Sequence, residues 1–395
     1  MATAKQILIL GAGFGGLASA NLLRNSLQKE VCQITVIDKN QSFMMGLVNL
    51  WILSGTRRLE NSQIALNKLE SKGIKFLNDE IIKIDPSENS VTTKTNRNKV
   101  HYDYLIIALG ADLAPKQIEG FEDNESCFNI YNVQQVPRLR EKILALKSGR
   151  IIICIANIPY KCPPAPYEVS LIINDILIKN GTRDSIDLNI YVPTPISLPV
   201  AGAKMSQDVV NLLNEKHINF HPLHKIKKVL DKKTIEFENG VKTSFDVLII
   251  IPNHQVPQII KNSDLLRDGN QHWINVDKFT LRTKYKNVFA IGDVTEIRLD
   301  KTTTIPKAGI FAEGQAKVVS QQIINEITDN NNNKALTKFD GKGFCFMEVG
   351  DKKAGYIYAD FYNESGPTTR LDPPSYEFYQ KKLDFERSRL GEWLM

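Results

Sequence analysis

Short apolar runs that end in glycine alternate with stretches of helical period along most of the chain, the pattern of βαβ units. The first run, Ile7-Leu8-Ile9-Leu10, passes into Gly11-Ala12-Gly13-Phe14-Gly15-Gly16, and residues 17–23 continue as a helix. A second strand, Ile34-Thr35-Val36-Ile37, ends at Asp38. Residues 39–55 read as an apolar, irregular loop, 64–71 as a short helix stopped by Gly73. Strand-like pieces at 74–76, 81–84, 91–95 and 100–102 read as a β-meander inserted as a crossover. The buried run 104–107 closes in Ala108-Leu109-Gly110. A second series follows: a helix over 136–146, strand 149–155, helix 167–179, strand 188–192, helix 207–215, a polar hairpin region over 226–242 and strand 245–251. Strand 288–291 ends in Gly292-Asp293 and precedes a helix over 309–327.

The polar tract 329–333 reads as a boundary, beyond which 343–361 is strand-rich and 375–394 a helical tail. The pattern predicts an α/β protein with two Rossmann-like doubly wound domains and a small C-terminal α+β region. The first domain is discontinuous, 1–115 with 280–328. The second covers 116–279 and the third 335–395.

Composition adds limits. At 395 residues the chain exceeds one ordinary core, and 42% hydrophobic with 24% charged residues is globular usage. The net charge of +6 suits an anionic substrate or a membrane surface, but no basic stripe with interleaved aromatics points to nucleic acid. The longest apolar runs are of strand length, far short of the roughly 20 residues of a membrane span. No basic and apolar leader opens the sequence, so a cytoplasmic protein is expected. Five cysteines without a CxxC pair predict no metal site and no structural disulfide framework. Cys32 and Cys154 lie in strands and read as small buried hydrophobes.

The glycine turn predicts a bound dinucleotide. Gly11 permits the tight turn, Gly13 and the neighbouring Phe14 let backbone approach a pyrophosphate, and Gly16 lets helix and strand pack closely. Asp38 follows Gly11 by 27 residues, within reach of a ribose hydroxyl. Gly110 and Gly292 sit where open α/β sheets bind ligands. The segment 280–294, with its Gly292-Asp293 pair, resembles the region of two-dinucleotide-binding flavoproteins that holds FAD. The resemblance implies that Asp293 binds the ribityl chain; its plainer reading is a turn cap. The second unit lacks the glycine turn. Its strand runs into Asn157-Ile158-Pro159-Tyr160-Lys161-Cys162-Pro163-Pro164, whose prolines remove N–H donors. FAD is therefore expected as the cofactor and NAD(P)H is not.

The stretch Lys161-Cys162-Pro163-Pro164-Ala165-Pro166-Tyr167-Glu168 resembles a segment of flavocytochrome c sulfide dehydrogenase and is similar to one in sulfide:quinone oxidoreductases. Ile305-Pro306-Lys307-Ala308-Gly309 is similar to the family's Pro-Lys-x-Gly, which opens the helix aimed at the flavin. Gly343-Phe344-Cys345-Phe346 resembles the position of a second redox cysteine, and Cys127 that of a third. A reactive thiolate also needs positive surroundings, which Lys161 and the dipole of the following helix would give Cys162. The plainer readings are a core thiol for Cys127 and Cys345 and a solvated lysine for Lys307. Glu168 reads as a proton carrier or a helix cap.

The resemblance implies oxidation of sulfide to sulfur or polysulfide. Hydrosulfide attacks a bridge between Cys162 and Cys345, Lys307 and Gly309 stabilise charge on the flavin, and a membrane quinone takes the electrons. Tyr376, Tyr379, Leu383, Leu390 and Trp393 share one helical face of the tail, either packed on the domain or resting on the membrane as a peripheral contact. An assembly of identical copies is compatible with all of this. The competing readings are an NADH:quinone oxidoreductase, a sulfide dehydrogenase with a cytochrome acceptor, and a flavin-bearing redox sensor.

Overall fold

In the computed structural model, residues 4–95, 97, 99–122, 124–266, 272–300, 303–328 and 337–395 are described. The tract 329–333 lies outside them. Two five-stranded parallel sheets form the frame. The first runs Val288–Ala290, Tyr104–Ile107, Lys5–Leu10, Cys32–Asp38, Lys75–Asn78. The second runs Cys127–Asn129, Val247–Ile251, Gly149–Ile155, Ile186–Tyr191, Asn219–His221. Parallel strands covered on both faces need apolar side chains on both, which is why Ile7 to Leu10 and Val247 to Ile251 are unbroken apolar runs, all buried. Cys32 and Cys154 are buried inside their strands.

Register decides where the site forms. Leu10 lies level with Ile37 on one side and Ile107 on the other, and Ile107 with Ala290. Gly11 N–H then donates to Ile37 O (2.8 Å), Ala108 N–H to Leu10 O (2.8 Å) and Ile291 N–H to Ile107 O (3.0 Å). The glycines at 11, 110 and 292 and the carboxylate of Asp38 therefore share one rim of the first sheet. Helices Phe14–Ser26 and Gly309–Ile327 start at that rim and pack against each other. A ribbon pairing Asp112–Leu113 with His254–Gln255 ties the first sheet's exit to the second's.

The last region is an antiparallel sheet of Lys342–Gly350, Lys353–Asp360 and Thr368–Ser375, followed by helix Tyr376–Leu394. Ser375 Oγ caps that helix by accepting from Phe378 N–H (3.2 Å).

Four local readings change. Lys75–Asn78 leaves the meander and joins the parallel sheet beside Thr35–Asp38, so the antiparallel sheet holds only Ile81–Asp85, Ser90–Thr93 and Lys99–His101. Within the loop expected over 39–55 there is a helix, Val48–Ser54, stopped by Gly55 at φ +82°. The helix expected over 64–71 is the 3-10 turn Leu66–Lys72. A third C-terminal strand holds Pro373 and Pro374, which weigh against a strand in sequence but are tolerated at this edge of the sheet.

Candidate active site

At the rim of the first sheet the backbone forms a cradle. Gly11 holds φ +96°, and a Cβ on it would meet Ala108 O at 2.5 Å. A Cβ on Gly16 would stand 1.8 Å from Gly11 O, while Gly13 faces open space. Helix Phe14–Ser26 has no side-chain cap, so its leading N–H groups stay available to an anion. Asp38 braces the loop: its Oδ2 accepts from Ala12 N–H (2.7 Å) and its Oδ1 from Asn40 N–H (2.8 Å). On the opposite side Gly292 holds φ +73°. Burial raises the Asp293 carboxyl above its usual range. Among the described residues no donor reaches its carboxylate oxygens, which suits an acceptor waiting for ligand hydroxyls. Ala substitution at Gly16 is expected to yield folded protein without bound flavin, checked by the absorbance ratio of the purified protein.

Across from this cradle the fold brings Cys162 and Cys345 together. Cys162 sits at φ +54° in the loop after Gly149–Ile155, pinned by its N–H donating to Lys307 O (2.7 Å). Cys345 stands in Lys342–Gly350, paired with Ile357. Cys345 acts directly on the Cys162 thiol, and its influence first, then burial, raises that thiol well above its usual range. The thiolate expected from Lys161 and the helix dipole is therefore not favoured in the reduced pair. The Lys161 ammonium is placed over the Tyr131 ring (5.2 Å), and helix Ala165–Lys179 begins three residues after Cys162.

Cys127, expected as a third redox sulfur, is not joined to them. It lies level with Leu248 in the second sheet, in an apolar cluster with Ile118, Phe121, Ile152 and Cys154, and burial pushes its thiol up to about 12. Its position resembled that of a third cysteine in the similar family, but the strand turns its side chain into the core.

Lys307 is buried. Its Nζ donates to Asp293 O (2.8 Å) and Thr295 O (2.9 Å) beneath the Trp273 ring (3.4 Å), and desolvation lowers its pKa to about 8. It shapes the Asp293 turn rather than standing free in solvent. A Cβ on Gly309 would meet the Phe14 ring at 2.8 Å, so this glycine seats the second helix against the cradle.

Behind the cysteines lies a buried ionic cluster that the sequence reading did not assemble. Lys382 Nζ donates to Glu168 Oε1 (2.8 Å) and Glu348 Oε2 (2.9 Å). Glu348 N–H donates to Glu168 Oε1 (2.9 Å), and Trp51 Nε1–H to Glu348 Oε2 (3.0 Å). Burial raises the Glu168 carboxyl; it opposes the Lys382 ammonium too, but the two carboxylates outweigh it and hold that group protonated. Glu168 is no cap of its helix, because its carboxylate is used here. The signal available was Lys382 between Tyr379 and Glu386 on the tail's buried face.

Residues 5–154 match the family described as pyridine nucleotide-disulphide oxidoreductase. The sulfide-quinone reductase of Aquifex aeolicus is 29% identical over 373 residues, covering 90% of this chain and 84% of that protein. Its crystal structure superposes with a TM-score of 0.85 at 26% identity, covering 98% of this chain and 90% of that one. The chain is similar to these sulfide:quinone oxidoreductases over nearly its whole length and shares their two-domain Rossmann-like fold. It is an oxidoreductase with FAD as its cofactor; the open space at Gly13, the uncapped helix start and the Asp293 carboxylate would leave room for that group. The mitochondrial sulfide:quinone oxidoreductase of Mus musculus is 24% identical, covering 90% of this chain and 78% of that protein. The type II NADH:quinone oxidoreductase of Staphylococcus aureus (strain NCTC 8325 / PS 47) is 22% identical, covering 89% and 93%.

The tail helix of this flavoprotein resolves as a packed element. Trp393 is 1% exposed and meets Phe14 edge-on (5.4 Å), whereas Tyr376 on the expected apolar face is 58% exposed. Trp393 is thus no membrane anchor. Among the described residues no helix is long and apolar enough to cross a membrane.

Proposed function

We propose that this flavoprotein oxidises hydrosulfide at the Cys162–Cys345 pair and passes the electrons to a quinone. The observation that carries the reading is that Cys345, 183 residues on in sequence, lines one cavity with Pro163 and Pro164 of the Cys162 loop, the loop that replaces a second glycine turn, and acts directly on the Cys162 thiol. In the oxidised pair the nucleophile is the substrate. HS⁻ attacks one sulfur of the disulfide, the other leaves as a thiolate, and the added sulfur is retained between the two as the bridge re-forms. Each addition inserts one sulfur atom, releases one proton and frees two electrons. FAD supplies the two-electron acceptor that links this oxidation to quinone reduction. A raised Cys162 thiol does not oppose this chemistry, because no protein thiolate starts it.

A continuous aromatic lane supports an apolar electron acceptor. Phe14 of the cradle stacks on Phe385 (6.3 Å), Phe385 meets Phe344 (5.6 Å), Phe344 stacks on Tyr356 (5.5 Å) and Tyr356 on Phe378 (5.4 Å). Lys381 lies over Phe378 (5.1 Å), and Tyr358 and Tyr376 are exposed nearby on the same strand and helix. This rim, rather than Trp393, is where we place contact with a quinone-bearing membrane. On the sulfur side, Cys345, Pro163, Phe344 and Ile357 line an almost wholly apolar cavity of about 60 Å³, suited to sulfane sulfur.

Anaerobic stopped-flow tests the function: sulfide is expected to bleach the flavin and a short-chain quinone to restore it. NADH is expected to leave it oxidised over the same period, because Pro159, Pro163 and Pro164 take the place of the N–H donors a second dinucleotide needs. Rapid bleaching by NADH instead would establish the NADH:quinone reading.

A further inference from the structure

The apolar cavity beside Cys345 is larger than sulfide needs. Its volume of about 60 Å³ gives room for about four water-sized bodies at roughly 15 Å³ each, and hydrosulfide has a single heavy atom. Cys345 stands on the wall with Pro163 and Pro164 of the Cys162 loop, and Leu198, Met205, Phe311, Ile357 and Phe361 are among the side chains that face them. Among the described residues the wall carries no charged group. Its one hydroxyl, on Thr369, is already engaged, donating to Ala201 O (2.6 Å). Val200, Ala201 and Thr369 are partly exposed, so the cavity reaches the surface between the start of helix Gly202–Glu215 and strand Thr368–Ser375. The occupant such a wall favours is uncharged, a few heavy atoms long and able to present sulfur to Cys345. A charged group would lose its water there and gain no partner.

We infer that this flavoprotein also oxidises short alkanethiols to dialkyl disulfides, the alkyl group lying in this cavity and the sulfur meeting Cys345. The inference rests on the proposed disulfide chemistry of the cysteine pair. In the first exchange the thiol sulfur bonds to Cys345 Sγ and the bond between the two cysteines breaks. The proton the thiol gives up ends on the leaving Cys162 sulfur. A second thiol then attacks the alkyl-bearing sulfur, dialkyl disulfide leaves, and Cys345 keeps the second proton. An alkyl group ends the chain, so nothing can be inserted between the cysteines as it is with sulfide, and the product is a free disulfide. The pair re-forms its bridge by giving up two electrons and two protons, with FAD and then quinone as the electron acceptors. Two thiols and one quinone thus yield one disulfide and one quinol.

The test is run anaerobically on flavin-loaded protein with ethanethiol and with 2-mercaptoethanesulfonate, which has the same two-carbon thiol and a fixed negative charge. A fully substituted short-chain quinone, to which thiols do not add, is the acceptor, and Cys345→Ser protein gives the background. Ethanethiol is expected to yield diethyl disulfide in step with quinol. Protein given one equivalent without quinone and quenched in acid should carry an ethylthio group on Cys345, read by peptide mass spectrometry. The charged thiol should react slower by roughly 10²-fold or more. Val200→Trp narrows the partly exposed mouth and should lower the ratio of ethanethiol rate to sulfide rate by roughly 10-fold. If sulfide bleaches the flavin while ethanethiol leaves Cys345 unmodified and forms no diethyl disulfide, the thiol activity is wrong and the sulfide reading stands. Equal rates for the two thiols would place the exchange outside the cavity and overturn the inference, as would an unchanged ratio in a Val200→Trp protein that melts like wild type. If sulfide fails to bleach, the proposed function falls; diethyl disulfide and an ethylthio group on Cys345 would then leave thiol oxidation standing, and their absence would remove both.

Discussion

Serine at Cys162 or at Cys345 is expected to abolish sulfide-driven bleaching, lowering its rate by roughly 10³-fold or more, the scale on which removed nucleophiles register. Flavin content should not change, because neither side chain is part of the Gly11–Gly16 cradle or the Asp293 turn. Each variant keeps one sulfur, and one sulfur cannot form the bridge that HS⁻ opens. The double variant should therefore be no worse than either single one, the non-additivity of groups that act as a unit. Stopped-flow absorbance of the three proteins checks this. A Cys345→Ser protein that still bleached at the wild-type rate would leave the pair without a role in the chemistry.

The second large effect concerns stability. Replacing Lys382 by Met keeps most of the side-chain volume but leaves Glu168 and Glu348 buried without their shared cation. Breaking a buried pair from one side costs about 3–5 kcal/mol. The pH dependence distinguishes this from lost packing. Burial already holds the Glu168 carboxyl above its unfolded value, so the folded state binds a proton there more tightly than the unfolded chain does. Stability from such a group is fully present below the unfolded carboxyl pKa and falls as pH rises towards the folded one. Without the ammonium that counters burial, this loss extends over a wider range. The variant should melt closer to wild type near pH 5 than near pH 8. A constant deficit across that interval would mean that packing, not charge, is what Lys382 contributes.

The frame was legible because parallel strands must be apolar on both faces. Ile7 to Leu10, Tyr104 to Ile107 and Val247 to Ile251 stand out without any tertiary knowledge, and the glycines that close them mark the rim. Cys162 was legible from the prolines around it. The ionic cluster was not, because its members come from a helix, a strand and the tail, and no local pattern ties Glu168 to Glu348 or Lys382. Cys127 misled for the converse reason: a one-dimensional position cannot say which face of a strand a thiol occupies. The tail's face was found, but spacing alone does not tell a face packed on protein from one laid on lipid. Trp393 against Phe14 settles that for its end of the helix.

That last contact also has a temporal side. Asn21 Nδ2 donates to Trp393 O (3.2 Å) across 372 residues, and the indole covers the aromatic ring of the cradle loop. The loop is synthesised before its cover, which follows hundreds of residues later. A nascent chain can thus wind the first βαβ turn early and set Phe43 against Phe14, yet the Phe385 and Trp393 contacts that complete the cover of Phe14 come only with the tail. A chain that stalls before Trp393 has the loop but lacks that part of its cover.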